Sequence, residues 1–416
     1  MLILVINSGS SSIKYQLFDI LNGKDKSENK ASKEDRKLLC KGLVERIGSE
    51  KSSLSHQKEG AEKIKKIVSV ANHKEGIKVI LDVIASLDNG VIKNISEIAA
   101  IGHRVVHGGE EFKSSTPITA EVLKYIEKYC ELAPLHNPPA LLGIKACKAV
   151  MPETPQVAVF DTAFHATMPA HAYLYGLPYQ QYKTYKIRRY GFHGTSHKYV
   201  AIKAAKILDK PIEKLKLITC HLGNGCSITA VENGKSIDTS MGFTPLEGLV
   251  MGTRTGDMDP AIVFYLMKKE NLDVDQIGEL LNKKSGLLGL SGVSNDVRDI
   301  LREMEAGNER AKVAFEVFFY RIKKYIGAYI AAMNGVDAII LTAGIGENNA
   351  WIKERICKEM SSLIEGCSAK VLVVPTNEEL MIAVDTFEIV KDLKQGEIKC
   401  PTRKEGVPNQ GRQKEG

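Results

Sequence analysis

The hydrophobic pattern opens with an unbroken apolar run over residues 2–6 that stops at Asn7. The small-residue stretch Ser8-Gly9-Ser10-Ser11-Ser12 follows, and then a second strand-like run over residues 13–18, closed by Asp19 and by Asn22-Gly23. Two short strand patterns around a Gly/Ser turn predict a hairpin. Further on, helical spacing covers residues 77–86, 121–131 and 139–150, and strand patterns cover 99–106 and 157–160. The first of these strands leads into His103-Arg104-Val105-Val106-His107-Gly108-Gly109, and the second ends at Asp161. Polar chemistry thus gathers at strand carboxyl ends, where open α/β sheets hold their ligands.

The second half starts the same way. A strand pattern over residues 215–221 reaches His221, Leu222-Gly223-Asn224-Gly225 forms the turn, and a second strand covers 226–231 before Asn233-Gly234. Gly223 falls opposite Gly9 when the two hairpins are laid together, so the chain reads as a duplicated unit. Helices are predicted over 260–269, 274–282 and 311–333, and a strand over 338–342. That strand enters a third glycine-rich turn, Ala343-Gly344-Ile345-Gly346-Glu347-Asn348. A helix over 350–360, a strand over 371–374 and a last helix from Glu378 to about residue 392 complete the pattern, which is that of an α/β protein with two facing halves.

Length supports two lobes, since 416 residues exceed what one core of roughly 150 residues accounts for. With 44% hydrophobic and 26% charged residues, the composition is that of a globular chain. No apolar run reaches the roughly 18 residues of a bilayer crossing, and no basic leader precedes residues 2–6, so a cytoplasmic location is expected. The net charge is +7, of which +3 lies in residues 391–416. No basic stripe interleaved with aromatics is present, which favours a small anionic ligand over nucleic acid. Residues 24–37 carry six basic and four acidic side chains and read as a solvated loop; residues 395–416 read as a disordered tail. The eight cysteines form no C-x-x-C pair and are expected to be buried thiols.

Three glycine-rich turns after strands suit backbone N–H groups that approach phosphate oxygens. None has the P-loop spacing G-x-x-x-x-G-K-[ST], and no dinucleotide fingerprint is present. Arg104 and Arg254 stand among glycines and few other charges, so each needs an anionic ligand or a buried carboxylate. Eight of the ten histidines fall between His103 and His221 without a zinc-site spacing, which suits neutral hydrogen-bonding groups around a polyanion. Asp161 and Glu378 are carboxylates placed where Mg²⁺ could be held; the spacing of Glu378 after Thr376 and Asn377 reads first as a capping-box residue at a helix start.

The runs Val5-Ile-Asn7-Ser-Gly-Ser10-Ser-Ser12-Ile-Lys14, Gly102-His-Arg-Val-Val-His-Gly-Gly-Glu110, Tyr190-Gly-Phe-His-Gly-Thr-Ser-His197, His221-Leu-Gly-Asn-Gly225 and Met251-Gly-Thr-Arg254 together closely resemble the acetate kinase family. The resemblance implies a duplicated ribonuclease-H-like, actin-like ATPase fold whose two lobes clasp ATP in a central cleft. The N-terminal lobe would be residues 1–164 with about 378–394, and the nucleotide-binding lobe 165–377. It implies Mg²⁺ (or Mn²⁺) at Asn7 and Glu378, and nucleotide contacts from Ser10, Ser12 and Lys14. Further ATP contacts would come from His221, Leu222, Gly223, Asn224 and Gly225, from Asp296, Val297 and Arg298, and from Gly344, Ile345, Gly346, Glu347 and Asn348. Arg104 would bind the substrate carboxylate, and Val106, Leu135, Phe192 and Pro245 its methyl group. Asp161, His193 and Arg254 would be catalytic, and the protein a homodimer.

On this reading ATP and acetate exchange a phosphoryl group to give ADP and acetyl phosphate. The central difficulty is repulsion between anions, about 4 kcal/mol for unit charges about 4 Å apart at an effective dielectric of about 20. Residues 351–370 are shorter than the family's usual link before the last strand, which bears on how Glu378 reaches the metal. Propionate or butyrate kinase is the near alternative, because one methylene is worth only about 1–3 kcal/mol. A non-catalytic ATP-binding protein on the same fold is the alternative of a different class.

Overall fold

The computed structural model describes residues 1–20 and 36–395. Most of the charged segment at 24–37 and nearly all of the basic tail therefore lie outside the described residues. Arg36 and Lys37 do not belong to a loop but open strand β3, and Gln395 ends the last helix.

The first sheet holds β1 (Leu2–Ser8), β2 (Ser12–Ile20), β3 (Arg36–Glu45), β4 (Ser53–Lys58), β5 (Ile64–Ile67), β6 (Ile98–Val105), β7 (Thr116–Pro117) and β8 (Gln156–Phe160). Their order is β5-β4-β3-β2-β1-β6-β8-β7. β1 is central, which explains its unbroken apolar run. Leu4 and Ile6 face helices His73–Ile84 and Asn137–Val150 through Ile77, Ile80, Ala146 and Cys147. Ile3 and Val5 face the C-terminal helix Glu378–Gln395 through Ile382, Ala383 and Phe387. This helix, the last described element, thus packs on the first sheet and carries Glu378 with it.

The second sheet holds β9 (Lys216–Leu222), β10 (Cys226–Glu232), β11 (Lys235–Thr239), β12 (Ala338–Thr342) and β13 (Lys370–Val373), in the order β11-β10-β9-β12-β13. β11, β10 and β9 pair antiparallel, and β9, β12 and β13 pair parallel. The segment β3-β2-β1-β6-β8 of the first sheet repeats this order and these directions. The duplication read from the two hairpins therefore extends to five strands per half.

Alternation along β9 and β10 sorts the second lobe's chemistry. Ile218, Cys220, Leu222, Cys226, Ile228 and Ala230 point into a core shared with the long helix Glu309–Met333. On the opposite face Leu217 and Val231 meet Val200, Ala201 and Ala204 of helix Gly194–Leu208. Thr219 and His221 share that face with Leu217, and Ser227 and Thr229 share it with Val231, so a polar patch lies beneath the start of this helix.

The third glycine-rich turn is a short helix, Ala343–Asn348, entered through Ala343 at φ 63°. Among the seven described cysteines, Cys40, Cys147, Cys220 and Cys226 are buried; Cys357 is exposed and Cys130 and Cys367 are intermediate, so burial is not general. No described cysteine is in a disulfide. No helix among the described residues is long and apolar enough to cross a membrane.

Candidate active site

The site lies where the carboxyl ends of both sheets face one another. From the first lobe, β6 delivers Arg104 and the end of β8 delivers Asp161. Arg104 Nε and Nη2 donate to the Asp161 carboxylate at 2.7–3.2 Å, a two-pronged ion pair with Asp161 almost fully buried. The carboxylate holds the guanidinium pKa above its ordinary value, with Glu378 and Glu379 adding to the effect against the cost of burial. Of the two partners open to Arg104 in the sequence, the structure supplies the buried carboxylate.

Arg254 is different. Its Nη1 donates to the Pro245 carbonyl at 3.1 Å, and it has no ion pair among the described residues. Burial lowers its pKa, opposed by Cys226. Gly252 allows the arginine's loop to lie on the second hairpin: a Cβ there would sit 2.1 Å from Asn224 Oδ1, while Gly252 N donates to Asn224 O at 3.0 Å.

His193 joins the two lobes. It adopts a left-handed conformation (φ 57°, ψ 22°) just before helix Gly194–Leu208. Gly194 N donates to the Asp161 carbonyl at 3.0 Å, and a Cβ on Gly194 would lie 2.1 Å from that oxygen, so only glycine permits this approach. The His193 ring stacks on His221 at 4.1 Å between centroids. Measured from the position a Cβ on Gly225 would take, His193 Cε1 and Nε2 lie at 3.4 and 3.5 Å and Arg254 Nη1 at 3.6 Å. The absent side chain of Gly225 thus leaves a space bounded by an imidazole edge and a guanidinium.

The histidines here are held neutral. Burial first, then His221, His197, Arg104 and Arg254, push the His193 pKa well below 6.5. Burial followed by Arg104 takes His221 down to about 3. His136 is lowered by burial, then by Arg104 and Arg254 against Asp161.

Glu378 lies within electrostatic reach of this cluster. Its pKa is raised by burial, with Arg104 lowering it, Asp161 and Glu379 raising it further, and Lys14 lowering it. The cap of its helix is Asn377, whose Oδ1 accepts from Leu380 N at 3.0 Å, so the carboxyl of Glu378 is not the capping group. Lys14 is ion-paired with Glu379. Asn7 lies opposite Lys14 in the β1–β2 ladder, and Ser10 and Ser12 flank its tip, where Gly9 N donates to Ser12 O at 2.8 Å.

Beside the second hairpin lies a cavity of about 520 Å³ lined by Gly223, Asn224, Asn295–Arg298, Gly344, Ile345, Asn348 and Asn349. It unites three segments far apart in sequence, each of which the family resemblance implies for ATP contact. Asp296 caps helix Val297–Glu305 and pairs with Arg298, which lowers its pKa to about 2. Gly346 is buried against Leu222 and Leu341. Glu347 Oε1 accepts from Ala343 N, Thr342 Oγ1 and Thr376 N at 2.8–3.2 Å, tying this wall to the segment that leads to Glu378. Of the apolar group, Val106 packs against the second lobe's core, Phe192 is buried and Pro245 contacts Arg254, whereas Leu135 is 67% exposed.

The acetokinase family profile matches residues 2–366. The chain belongs to the acetokinase family. The acetate kinase of Thermoanaerobacterium thermosaccharolyticum is 56% identical to it over 414 residues, 95% of this chain and all of that one. The solved acetate kinase of Porphyromonas gingivalis superposes with a TM-score of 0.86 at 44% identity, covering 94% of this chain and 99% of that one. A propionate kinase from Francisella tularensis gives 0.82 at 42% identity over 93% and 99%. The fold of this acetokinase is thus the two-lobe, actin-like ATPase fold, and the chain is a kinase.

Sequence reasoning did not single out Ser196, Ser227, Thr376 and Glu379, which contact His221, His193, Ser196 and Lys14 respectively. Strand alternation was the available signal for Ser227, since it shares a face with Thr229 and lies opposite His221 in the ladder.

Proposed function

We propose that this acetokinase transfers the γ-phosphoryl group of ATP in line to a carboxylate oxygen of acetate. A bond forms from that oxygen to phosphorus as the bond to the β–γ bridging oxygen breaks, giving acetyl phosphate and ADP; the reverse reaction uses the same site. The observation that carries the reading is Arg254, a half-buried cation without a carboxylate partner among the described residues, beside the space left by Gly225. Transferring phosphoryl groups are stabilised by such preorganised donors.

In this reading the second hairpin cradles the phosphates, the 520 Å³ cavity takes adenosine, and neutral His193 donates a hydrogen bond. Arg104 keeps Nη1 clear of Asp161 and offers it to the acetate carboxylate, while Asp161 fixes the guanidinium in place. A general base is not required, because acetate is ionised near neutral pH. Val106, Phe192, Pro245 and Leu135 surround the methyl group.

Mg²⁺, or Mn²⁺, fits the residues present. Glu378 offers a carboxylate with no hydrogen-bond partner of its own among the described residues, and Mg²⁺ with nucleotides is commonly held by one or two carboxylates plus phosphate oxygens. When bound, the ion offsets phosphate charge. The lobes are assigned as residues 1–164 with 378–394 and residues 165–377, and the enzyme acts in the cytoplasm.

A homodimer is supported by helix Ala261–Glu270, which has no buried residue and exposes Ile262, Phe264 (71%) and Tyr265 (61%). The direct test is trapping of acyl phosphate as hydroxamate with ATP, Mg²⁺ and acetate, beside propionate and butyrate. Acetate should give the highest kcat/KM. Faster turnover of propionate would reassign the substrate, and ATP binding without any hydroxamate would remove the catalytic reading.

A further inference from the structure

Behind His193 runs a sealed chain of hydrogen bonds. His193 Nδ1 lies 2.9 Å from Ser227 Oγ, the same hydroxyl lies 2.8 Å from His197 Nε2, and His197 Nδ1 lies 2.7 Å from Thr219 Oγ1. Ser227, His197 and Thr219 are fully buried. The arrangement follows from the alternation of β9 and β10, which turns Thr219 and Ser227 toward the first turns of helix Gly194–Leu208.

One hydroxyl has one proton, so Ser227 donates to one histidine and accepts from the other. With both rings neutral, only two proton orders satisfy the chain. In the first, Thr219 donates to His197 Nδ1, His197 Nε2–H donates to Ser227, and Ser227 donates to His193 Nδ1. His193 then carries its proton on Nε2, toward Gly225 and Arg254. In the second, every bond is reversed, His193 Nε2 is a bare acceptor, and the Thr219 proton must go to the Thr229 carbonyl. That contact is 3.5 Å, against 2.7 Å to His197. Hydrogen bonds weaken steeply at such lengths, so the first order is the more stable.

We infer that Thr219, His197 and Ser227 are positioning residues that fix His193 as its Nε2–H tautomer and so present a donor, rather than a lone pair, to the transferring phosphoryl group. The inference rests on the role given to His193 under the proposed reaction, and it goes beyond that role by naming what sets the ring's proton. A lone pair at Nε2 would repel the phosphoryl oxygens that the site must gather.

The test is ¹⁵N NMR of the full chain with labelled histidine, assigned with His193→Gln. His193 Nδ1 should resonate as an unprotonated nitrogen and Nε2 as a protonated one. Thr219→Val, which removes the hydroxyl while keeping the shape, should populate both His193 tautomers, and Thr219→Ser should restore one. Ser227→Ala should lower kcat about 10- to 100-fold, the range for lost supporting partners, with the KM values for ATP and acetate within about twofold. A wild-type His193 protonated on Nδ1, or an unchanged kcat in Ser227→Ala, would overturn the inference. Because the tautomer is read without turnover, it stands or falls separately from the identity of the acyl substrate.

Discussion

Arg104 and Arg254 come from opposite lobes of the cleft and are provided for in opposite ways. Arg104 is locked to a buried carboxylate at 2.7–3.2 Å, and its positive charge is largely cancelled at rest. Arg254 leans on a carbonyl oxygen and keeps its charge uncompensated among the described residues, with burial acting against that charge. The first arrangement stabilises structure and fixes a geometry. Under the proposed reaction the second withholds stabilisation until an anion arrives, which is how a site gains more from the transition state than from the resting protein.

The contrast can be broken by mutation, beginning with its largest effect. Asp161→Ala leaves Arg104 without its buried partner and should cost about 3–5 kcal/mol in chemical denaturation. Arg254→Ala breaks no ion pair and should shift stability little, yet kcat should fall on the order of 10²–10³, with nucleotide KM nearly unchanged. If the two variants lost comparable stability, the distinction between the arginines would be wrong.

Gly225→Ala adds a methyl group at ordinary contact distance from His193 and Arg254, so the chain should fold normally. Under the proposed reaction the methyl occupies the phosphoryl space, and kcat/KM for ATP should drop roughly tenfold, the lower range for one misplaced methylene-sized group. Unchanged kinetics would place the phosphoryl group elsewhere.

Two pH effects are gentler. Glu378 has a raised pKa, so protons should compete with Mg²⁺ at a pH above 4.5, where an ordinary carboxylate would still be ionised. The Mg²⁺ concentration for half-maximal rate should therefore rise as pH falls toward that raised value, and Glu378→Gln should abolish this dependence. The buried histidines act on stability. His103 and His165 are lowered to about 4 and His107 and His221 to about 3, chiefly by burial. The unfolded chain binds these protons from about 6.5 downward and the folded one does not. Stability is thus fully present above about 6.5, and Tm should fall as pH drops below it.

Much of this was legible in the sequence. The paired hairpins, the buried strands and the long helix follow from unbroken apolar runs and from helical spacing. β3 and β5 were not, because lysines stand among their apolar positions; Ile64–Ile67 is an edge strand, where exposed lysines are usual. Helix Ala343–Asn348 carries two glycines that argue for a turn. In the site, residue types and their segments were readable, but not their pairing. Arg104 meets Asp161 across 57 positions and Lys14 meets Glu379 across 365. Sheet topology makes those encounters, and no local pattern encodes them.

The central claim is that Arg254 and His193 Nε2 together hold the transferring group beside Gly225. A crystal structure with Mg²⁺, ADP, acetate and aluminium fluoride, a mimic of the phosphoryl group in flight, tests it most directly. The mimic should lie between ADP and acetate, accepting hydrogen bonds from the Arg254 guanidinium and from His193 Nε2. A mimic bound away from both, with Arg254 still on the Pro245 carbonyl, would contradict it.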